Sequence, residues 1–325
     1  MFRTEVNTKI RNCKIDYQKK QFFIGSCFIE NIGKKMKELK FPVLINPFGI
    51  LYNPISVKNC IEILIKKKFF IEKDIYFSNK KYISFYHHGD FSNENRKKCI
   101  EKINKNIEIA SNFLKKTSFL FITFGTSFVY ENKNTKKIVS NCHKIPKKEF
   151  RHYLLKIDEI IENYISLIEN ILKFNPNLKK IIFTVSPIRH WKDGANANQI
   201  SKSILQIAIF ELKKHFKIVD YFPSYEIILD DLRDYRFYER DMIHPNSTAI
   251  DYIFEKFHKS FIDDKVENII TEIKKINNAK NHKAFFPYSQ EHKNFKNSFL
   301  KKIKLLKNKY SFLNLKEEYN FFNEN

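Results

Sequence analysis

The stretch QFFIGSCFIENIG, residues 21–33, decides the fold of this chain, because an aromatic, strand-like segment ends in it and a helix begins. Residues 22–24 are all large and hydrophobic, which is typical of a strand buried on both faces of a parallel sheet. Gly25 permits a tight turn after that strand. The stretch therefore predicts a strand–turn–helix unit that places the Ser26 hydroxyl and the Cys27 thiol side by side at the turn.

The rest of the chain repeats this alternation of strands and helices. Four more short hydrophobic segments are predicted to be buried strands: 41–46, 119–125, 180–187 and 216–223. Residues 153–173 carry isoleucine, leucine and tyrosine at helical spacing. This order predicts an α/β fold with a ligand site at the carboxyl ends of its strands. The Lys- and Asn-rich segment 264–325 is predicted to be a mainly helical extension of an α/β domain at 1–263.

The composition indicates a folded globular protein. Hydrophobic residues make up 43% of the 325, yet no uncharged stretch is long and unbroken enough to cross a membrane as a helix. The five cysteines include no Cys-x-x-Cys pair, which argues against a disulfide framework and against a thiolate zinc site. Residues 1–18 lack the apolar core of a secretory signal. We therefore expect a soluble, cytoplasmic protein.

The charge of the chain is strongly positive. The formal net charge is +23, from 59 Lys plus Arg against 36 Asp plus Glu, which raises nucleic acid as a partner. The lysines are spread along the whole chain, however, together with many Ile, Asn and Phe residues, whose codons are also A/T-rich. Because a nucleic-acid footprint needs clustered charge, we interpret this excess as a solvated lysine-rich surface and do not expect nucleic-acid binding.

Ser26 has two interpretations that the opening stretch leaves open. At a strand-to-helix turn its hydroxyl lies near the N–H groups of a helix N-terminus, as a nucleophile requires, but serine is also a common helix N-cap. A base is offered far downstream by Asp241 and His244, whose Asp-x-x-His spacing lets the carboxylate orient the imidazole. Cys27 is the alternative nucleophile. We interpret it as a small packing residue, because adjacent residues of such a turn point in different directions.

Further polar side chains follow or flank the predicted strand ends. The candidates for substrate binding are His87, His88, His143, Arg189 and His190. Arg189 suits a carboxylate or a phosphate group, and hydrogen bonds that brace the site are the alternative role for the histidines. None of these residues has the short, regular spacing of a known zinc motif, so neither a metal nor another cofactor is expected.

Five blocks of the sequence, in a fixed order, carry a resemblance to a known family. They are GSCFIENIG (25–33), FPVLINPFGILYNPIS (41–56), NCHKIPKKEF (141–150), NPNLKKIIFTVSPIRHWKDGANANQISKS (175–203) and YFPSYEIILDDLRDYRFYERDMIHPN (221–246). They resemble the GSCFA-domain proteins, which are placed in the SGNH/GDSL hydrolase superfamily. The resemblance spans most of the chain and implies a flavodoxin-like, three-layer α/β/α fold with a parallel central sheet.

The resemblance further implies catalytic roles for three residues: Ser26 as the nucleophile, His244 as the base and Asp241 as the acid that orients the base. The first hypothesis is a serine-dependent ester hydrolase or O-acyltransferase that acts on a small-molecule or glycan acyl ester through an acyl-enzyme. The alternative is a catalytically weak or inactive relative that binds a glycan or an acidic small molecule in the same cleft.

The oxyanion hole is where the sequence departs from the superfamily. In the superfamily the oxyanion-hole donors are the N–H of the nucleophilic serine, a glycine N–H and an asparagine side chain. Gly49 matches the position of that glycine. Where that asparagine is expected, the segment FGTSFVY (124–130) has Gly125 and Thr126. The alternative function follows from this missing amide. The donors expected in this chain are Ser26, Gly49, Thr126 and Asn46, with Asn53 as a further nearby amide.

Overall fold

Strands and helices alternate along the chain, of which the computed structural model describes residues 4–283 and 285–323. Within these ranges the strands are β1 (Lys20–Gly25), β2 (Val43–Ile45), β3 (Tyr76–Ser78), β4 (Lys81–Ile83), β5 (Thr117–Phe124), β6 (Phe128–Asn132), β7 (Ile138–Val139), β8 (Phe150–Leu154), β9 (Lys180–Val185) and β10 (Val219–Tyr221). The α-helices there are α1 (Cys27–Glu38), α2 (Pro54–Ile65), α3 (Arg96–Leu114), α4 (Ile157–Phe174), α5 (Ala195–His215), α6 (Ser224–Leu229), α7 (Ser247–Phe261), α8 (Glu267–Asn281), α9 (Gln290–Lys309) and α10 (Lys316–Asn323).

Five strands form a parallel central sheet in the spatial order β2–β1–β5–β9–β10. Counted along the chain, this is the order 2-1-3-4-5 of flavodoxin-like sheets. All five strands come from the hydrophobic segments predicted as strands, and the predicted three-layer fold is confirmed. The connections that leave β1 and β5 run toward opposite edges of the sheet. In such sheets ligands bind at this switch point, in the crevice outside the carboxyl ends of the two neighbouring strands.

The central strands are hydrophobic on both faces because each face packs against helices. In β1, Phe22 and Ile24 belong to the core on one face and Phe23 to the core on the other, and all three are fully buried. Helices α2 to α5 contribute to the first core, and α1 and α7 to α10 to the second. Burial of this kind explains why alternation of polar and apolar residues is absent from these segments.

The C-terminal segment is helical, as predicted. Helices α8, α9 and α10 add buried side chains such as Ile273, Ile303 and Phe322 to the second core. The predicted boundary between residues 263 and 264 stays a prediction, and residues 1–3, 284, 324 and 325 of the two predicted units lie outside the described residues. None of the described helices combines the length and the hydrophobicity that a membrane crossing requires.

Two small antiparallel sheets, β3–β4 and β7–β6–β8, are not predicted by the sequence. Strand β8 occupies the start of the predicted helix, which begins at Ile157 instead of residue 153. Both β6 and β8 are only partly buried and carry aromatic residues. Strand β8 leads almost directly into the amphipathic helix α4, so the hydrophobic pattern shows little break between them. An analysis of periodicity therefore assigns the end of the strand to the helix.

Candidate active site

The turn after β1 brings Ser26 to the crevice between β1 and β5. Gly25 has a φ of +135°, and a Cβ atom there would lie 2.1 Å from the carbonyl oxygen of Thr123, so the approach of the two strands leaves room for glycine alone. Ser26 occupies the N-cap position of α1, but its hydroxyl makes no capping hydrogen bond. Its Oγ atom is buried and has no hydrogen-bond partner among the described residues. The N-cap interpretation therefore does not fit, since a capping side chain accepts an N–H of the first turn.

Ser26 lines a cavity of about 370 Å³ at the carboxyl end of the sheet. Several residues that the sequence singled out line it too: Cys27, Thr126, Arg189, His190 and His244. The loop before α2 contributes Tyr52 and Asn53, and the small sheet contributes Tyr130 and His152. The cavity thus gathers residues from the loops after β1, β5 and β9 and from the segment before α7.

Asp241 and His244 are joined within the turn that precedes α7. One carboxylate oxygen of Asp241 accepts the N–H groups of Ile243 and His244, both at 2.9 Å, and the other lies 2.6 Å from His244 Nδ1. The two backbone N–H groups and the imidazole lower the pKa of Asp241 to about 2. The carboxylate is therefore ionised at neutral pH and orients the ring, with Nε2 as the nitrogen that remains for proton transfer.

The fold brings Ser26 and His244 into one cavity although they lie near opposite ends of the α/β domain. Their environments differ, because Ser26 is 1% exposed and the His244 side chain is 49% exposed. Ser26 Oγ makes no hydrogen bond to a described residue, so it is not hydrogen-bonded to the imidazole. Nucleophile–base hydrogen bonds are often long before substrate binds and shorten in the complex.

The fold itself uses several of the predicted oxyanion donors. The N–H of Ser26 donates to a carbonyl of β5 at 3.2 Å, and the N–H of Gly49 donates to the carbonyl of Asn46 at 2.8 Å. The side chain of Asn46 accepts the N–H of Gly25 at 2.8 Å and donates to Glu30 at 3.2 Å. Neither Gly49 nor Asn46 lines the cavity. Both groups thus have partners within the fold, and their role in an oxyanion hole stays a prediction.

Thr126 and Asn53 do line the cavity. The Thr126 hydroxyl lies 3.0 Å from Ser201 Oγ and accepts the N–H of Phe128 at 3.1 Å, so it belongs to a hydroxyl network. The side-chain oxygen of Asn53, Oδ1, accepts the N–H of Ser56 at 2.8 Å and caps α2. Because the cap fixes the oxygen, the NH₂ group of the same amide is the part that remains for a ligand. Of the two candidate amides, Asn53 lines the cavity and Asn46 does not.

Cys27, the alternative nucleophile, also lines the cavity. Burial raises the pKa of its thiol. A raised pKa keeps the sulfur protonated at neutral pH, and the thiol is a much weaker nucleophile than the thiolate. The environment of Cys27 therefore favours the packing role that the sequence suggested.

Three of the candidate histidines lie outside the cavity. His87 is 1% exposed, its Nδ1 lies 2.9 Å from Ser84 Oγ, and burial lowers its pKa to about 3. His143 Nε2 lies 2.8 Å from the carbonyl oxygen of Ser84, and His88 Nδ1 lies 3.1 Å from Asp90. These contacts are of the kind expected for histidines that brace the structure, and a role in substrate binding stays a prediction. In the part of the chain that is described, no three potential metal-binding side chains cluster.

Arg189 and His190 do reach the cavity, from the loop that follows β9. Burial lowers the pKa of His190 to about 4, so this imidazole is neutral at physiological pH. Its ring meets the Tyr52 ring edge-on, with 5.5 Å between the centroids. The Arg189 guanidinium lies over the Trp191 ring, 5.7 Å from the centroid. Of the two, Arg189 is the one that carries a charge to the cavity.

Lys202 is a residue of this region that the sequence pattern does not reveal. Its side chain is fully buried, and the ammonium group donates to the carbonyl oxygens of Gly125, Ser186 and Ile188 at 2.7, 2.8 and 2.8 Å. Burial lowers the pKa of Lys202 to about 7. The three acceptors match the three N–H groups of the ammonium, and they join α5 to the loops that follow β5 and β9.

Comparisons with known proteins agree with the resemblance of the sequence blocks. The model of the GSCFA family matches residues 20–257, and the model of the GSCFA domain protein, C-terminal domain, matches residues 273–325. A search of curated proteins gave no match. One similar solved structure is a Clostridium thermocellum family 3 carbohydrate esterase, at 9% identity and a TM-score of 0.35 over 78% of this chain and 96% of that chain. Another is a carbohydrate esterase family 3 from Talaromyces cellulolyticus, at 11% identity and a TM-score of 0.35 over 78% and 99%. Because the first family model covers most of the sequence, the chain belongs to the GSCFA family.

Proposed function

We propose that this protein is a serine-dependent ester hydrolase or acyltransferase in which Ser26 is the nucleophile, His244 the base and Asp241 the residue that orients the base. The observation that carries the proposal is a buried serine hydroxyl to which no described residue is hydrogen-bonded, in the same cavity as an imidazole already held by a carboxylate. Leaving a buried polar group unpaired costs about 1–3 kcal/mol. A serine with a purely structural role would avoid this cost by capping α1.

The two nitrogens of His244 have different tasks: Nδ1 stays bonded to Asp241, and Nε2 transfers protons. Nε2 takes the proton of Ser26 Oγ as that oxygen bonds to the ester carbonyl carbon. The bond from that carbon to the alcohol oxygen then breaks, and His244 returns the proton to the leaving alcohol. Water or a second alcohol next attacks the acyl-serine and gives its proton to His244, and the acid or the new ester leaves as Ser26 regains its proton. Asp241 stays ionised throughout and stabilises the imidazolium.

His244 is favoured over His190 as the base. Both imidazoles line the cavity. The pKa of about 4 makes His190 a poor proton acceptor at neutral pH. In the described part of the chain no carboxylate pairs with the His190 ring, whereas Asp241 lies 2.6 Å from His244.

Asn53 is proposed to supply the side-chain donor of the oxyanion hole, and Asn53→Asp tests this role. The aspartate keeps an oxygen to cap α2 but removes the NH₂ donor, so we expect kcat for 4-nitrophenyl acetate to fall by about 10²- to 10³-fold with the melting temperature nearly unchanged. Asn53→Ala is the matched control: it should lose similar activity and also the cap, at a cost of about 1 kcal/mol in the free energy of unfolding. A wild-type kcat in Asn53→Asp would exclude the donor role.

Labelling with a fluorophosphonate tests the proposed function directly, because the reagent phosphonylates an activated serine. We expect one label per chain, located on Ser26 by peptide mass mapping, and no label on Ser26→Ala. Cys27→Ala is the neighbouring control and should be labelled like the wild type. If the folded wild-type protein takes no label, the alternative is favoured: a protein that binds a glycan or an acidic small molecule in this cavity without turning it over.

A further inference from the structure

The loop after β9 carries an arginine whose charge has no carboxylate partner in the described residues. Arg189 is partly buried, and its contact is the ring of Trp191. Three other arginines, Arg11, Arg96 and Arg233, lie 2.9, 3.1 and 2.6 Å from carboxylate oxygens. Arg151, like Arg189, lies over an aromatic ring, 4.8 Å from the centroid of Tyr153, but it does not line the Ser26 cavity. A partly buried guanidinium presents several N–H donors that need acceptors, so an unpaired one beside a cavity points to a ligand that supplies them.

The carboxylates that line the two cavities beside Arg189, and Asp241 next to them in the chain segment before α7, have other partners. Asp193, in the same cavity, lies 3.9 Å from His152 Nδ1. Asp241 holds the catalytic imidazole. Asp234, in the adjoining cavity, accepts the N–H of Arg236 at 2.8 Å and lies 3.7 Å from its Nε. The surroundings of Arg189 thus leave its positive charge uncompensated.

Arg189 lies at the junction of two cavities, one of which contains Ser26. Arg189 lines the Ser26 cavity and also an adjoining cavity of about 180 Å³, whose walls include Tyr235 and Met242. Lys192 lines the Ser26 cavity as well, where its ammonium contacts the Tyr130 hydroxyl, and it adds a second positive charge to the same wall. A ligand that fills the Ser26 cavity therefore meets two cations on one side.

We propose that Arg189 binds an anionic group, a carboxylate or a phosphate, of the acyl ester that Ser26 attacks. The substrates of this protein would then be negatively charged esters, a conclusion that rests on the proposed function. The planar fork of the guanidinium matches the two oxygens of either anion, and the Trp191 ring supports one of its faces.

Two pairs of esters isolate the effect of the anion. 4-Nitrophenyl hydrogen succinate and 4-nitrophenyl butyrate differ by a carboxylate on the acyl side, and 4-acetoxybenzoate and its methyl ester differ by one on the alcohol side. We expect the wild-type protein to have the lower KM for the anionic member of one pair. Arg189→Gln should raise that KM by about 10- to 100-fold while KM for the neutral ester changes by less than about threefold, and Arg189→Lys should recover part of the loss.

A control is needed because a chain with a net charge of +23 attracts any anionic ester. It must separate binding at Arg189 from this general attraction. Arg96→Gln removes one positive charge from an exposed ion pair with Glu72. Because Arg96 lines neither cavity, this variant should leave every KM unchanged. Succinate and inorganic phosphate, added to the hydrolysis of a neutral ester, distinguish the two anions. The anion that Arg189 binds should inhibit the wild-type protein and not Arg189→Gln.

Two outcomes would overturn the anion site. They are equal KM values within both pairs for the wild-type protein, and an equal loss on neutral and anionic esters in Arg189→Gln. Either result leaves the chemistry of Ser26 untouched. If instead Ser26→Ala hydrolyses all four esters like the wild type, the proposed function fails. Calorimetric binding of succinate and phosphate to the wild-type and Arg189→Gln proteins then decides independently whether Arg189 binds an anion.

Discussion

Ser26→Ala is expected to lower kcat/KM for 4-nitrophenyl acetate by about 10⁴-fold or more, because a methyl group cannot form the acyl-enzyme. The same variant should be at least as stable as the wild type. Its hydroxyl is buried and has no hydrogen-bond partner in the described part of the chain, so removing it takes away an unpaired polar group and breaks no hydrogen bond seen there. Initial rates with the activated ester and thermal unfolding of the same preparation measure both effects.

The combination of the two measurements separates a catalytic serine from a structural one. A serine that capped α1 would show the reverse pattern, with a lower melting temperature and a rate that follows only the folded fraction. Cys27→Ala should keep the wild-type rate, since burial raises the pKa of that thiol. A full rate in Ser26→Ala on every ester that the wild type cleaves would contradict the proposal, and loss of the rate in Cys27→Ala instead would make the thiol the nucleophile.

Asp241→Asn is expected to lower kcat/KM by about 10³- to 10⁴-fold. The amide oxygen can still accept the two backbone N–H groups that Asp241 accepts, so the turn keeps its shape. The NH₂ group then faces His244 Nδ1 in place of a carboxylate oxygen. Because it donates, Nδ1 must accept, and the ring proton moves to Nε2. The nitrogen that has to take the serine proton is thereby blocked.

The pH dependence gives this prediction a second readout. The pKa of Asp241 is about 2, below its ordinary value, so the carboxylate stays ionised above that pH and supports the imidazole through the whole weakly acidic range. Loss of wild-type activity on moderate acidification should therefore not reflect protonation of Asp241.

The control for Asp241→Asn is Asp263→Asn. It makes the same change at a carboxylate that also accepts a backbone N–H, and it should leave kcat/KM unchanged. A wild-type kcat/KM for Asp241→Asn would show that this carboxylate does not orient the base.

The sequence predicts the central sheet well because its strands are buried on both faces. Phe22, Phe23 and Ile24 form an uninterrupted buried apolar run, and each such segment is short and ends in a turn-forming or small polar residue. The β6–β8 pairing escapes prediction for the opposite reason. Its strands are half-exposed, and their register depends on the loops between them and on contacts made after folding.

For the site, the sequence predicts which residues meet in the cavity better than which donors stay unpaired. The presence of Ser26, Thr126 and Arg189 in one cavity follows from strand ends meeting at one edge of the sheet. His244 follows no strand, and its place beside them is what the family resemblance implies. Whether a backbone N–H is free to bind a ligand depends on whether a carbonyl group already accepts it. The N–H of Gly49 donates to the carbonyl of Asn46 in the same turn, and the sequence does not reveal this hydrogen bond. The histidines at 87, 88 and 143 follow strand-like segments as well, but they pack away from the cavity.

Lys202 is hidden from sequence analysis by its surroundings. It lies in an amphipathic helix of a chain with 59 Lys plus Arg, where one more lysine indicates a solvated surface. Its burial follows from three carbonyl groups that belong to two distant loops and converge on one point. Such convergence is a property of the tertiary structure alone.

The same ammonium group limits how the cavity can adapt to ligands of different size. If one of its three carbonyl partners moved away, an N–H of a buried cation would be left unpaired, at a cost of about 1–3 kcal/mol or more. The cavity floor made by the ends of β5 and β9 is therefore stiff and moves as a unit with α5. Adjustment must come from the opposite rim, where Asp241 and His244 stand half in solvent on a turn whose Met242 has a φ of +58°.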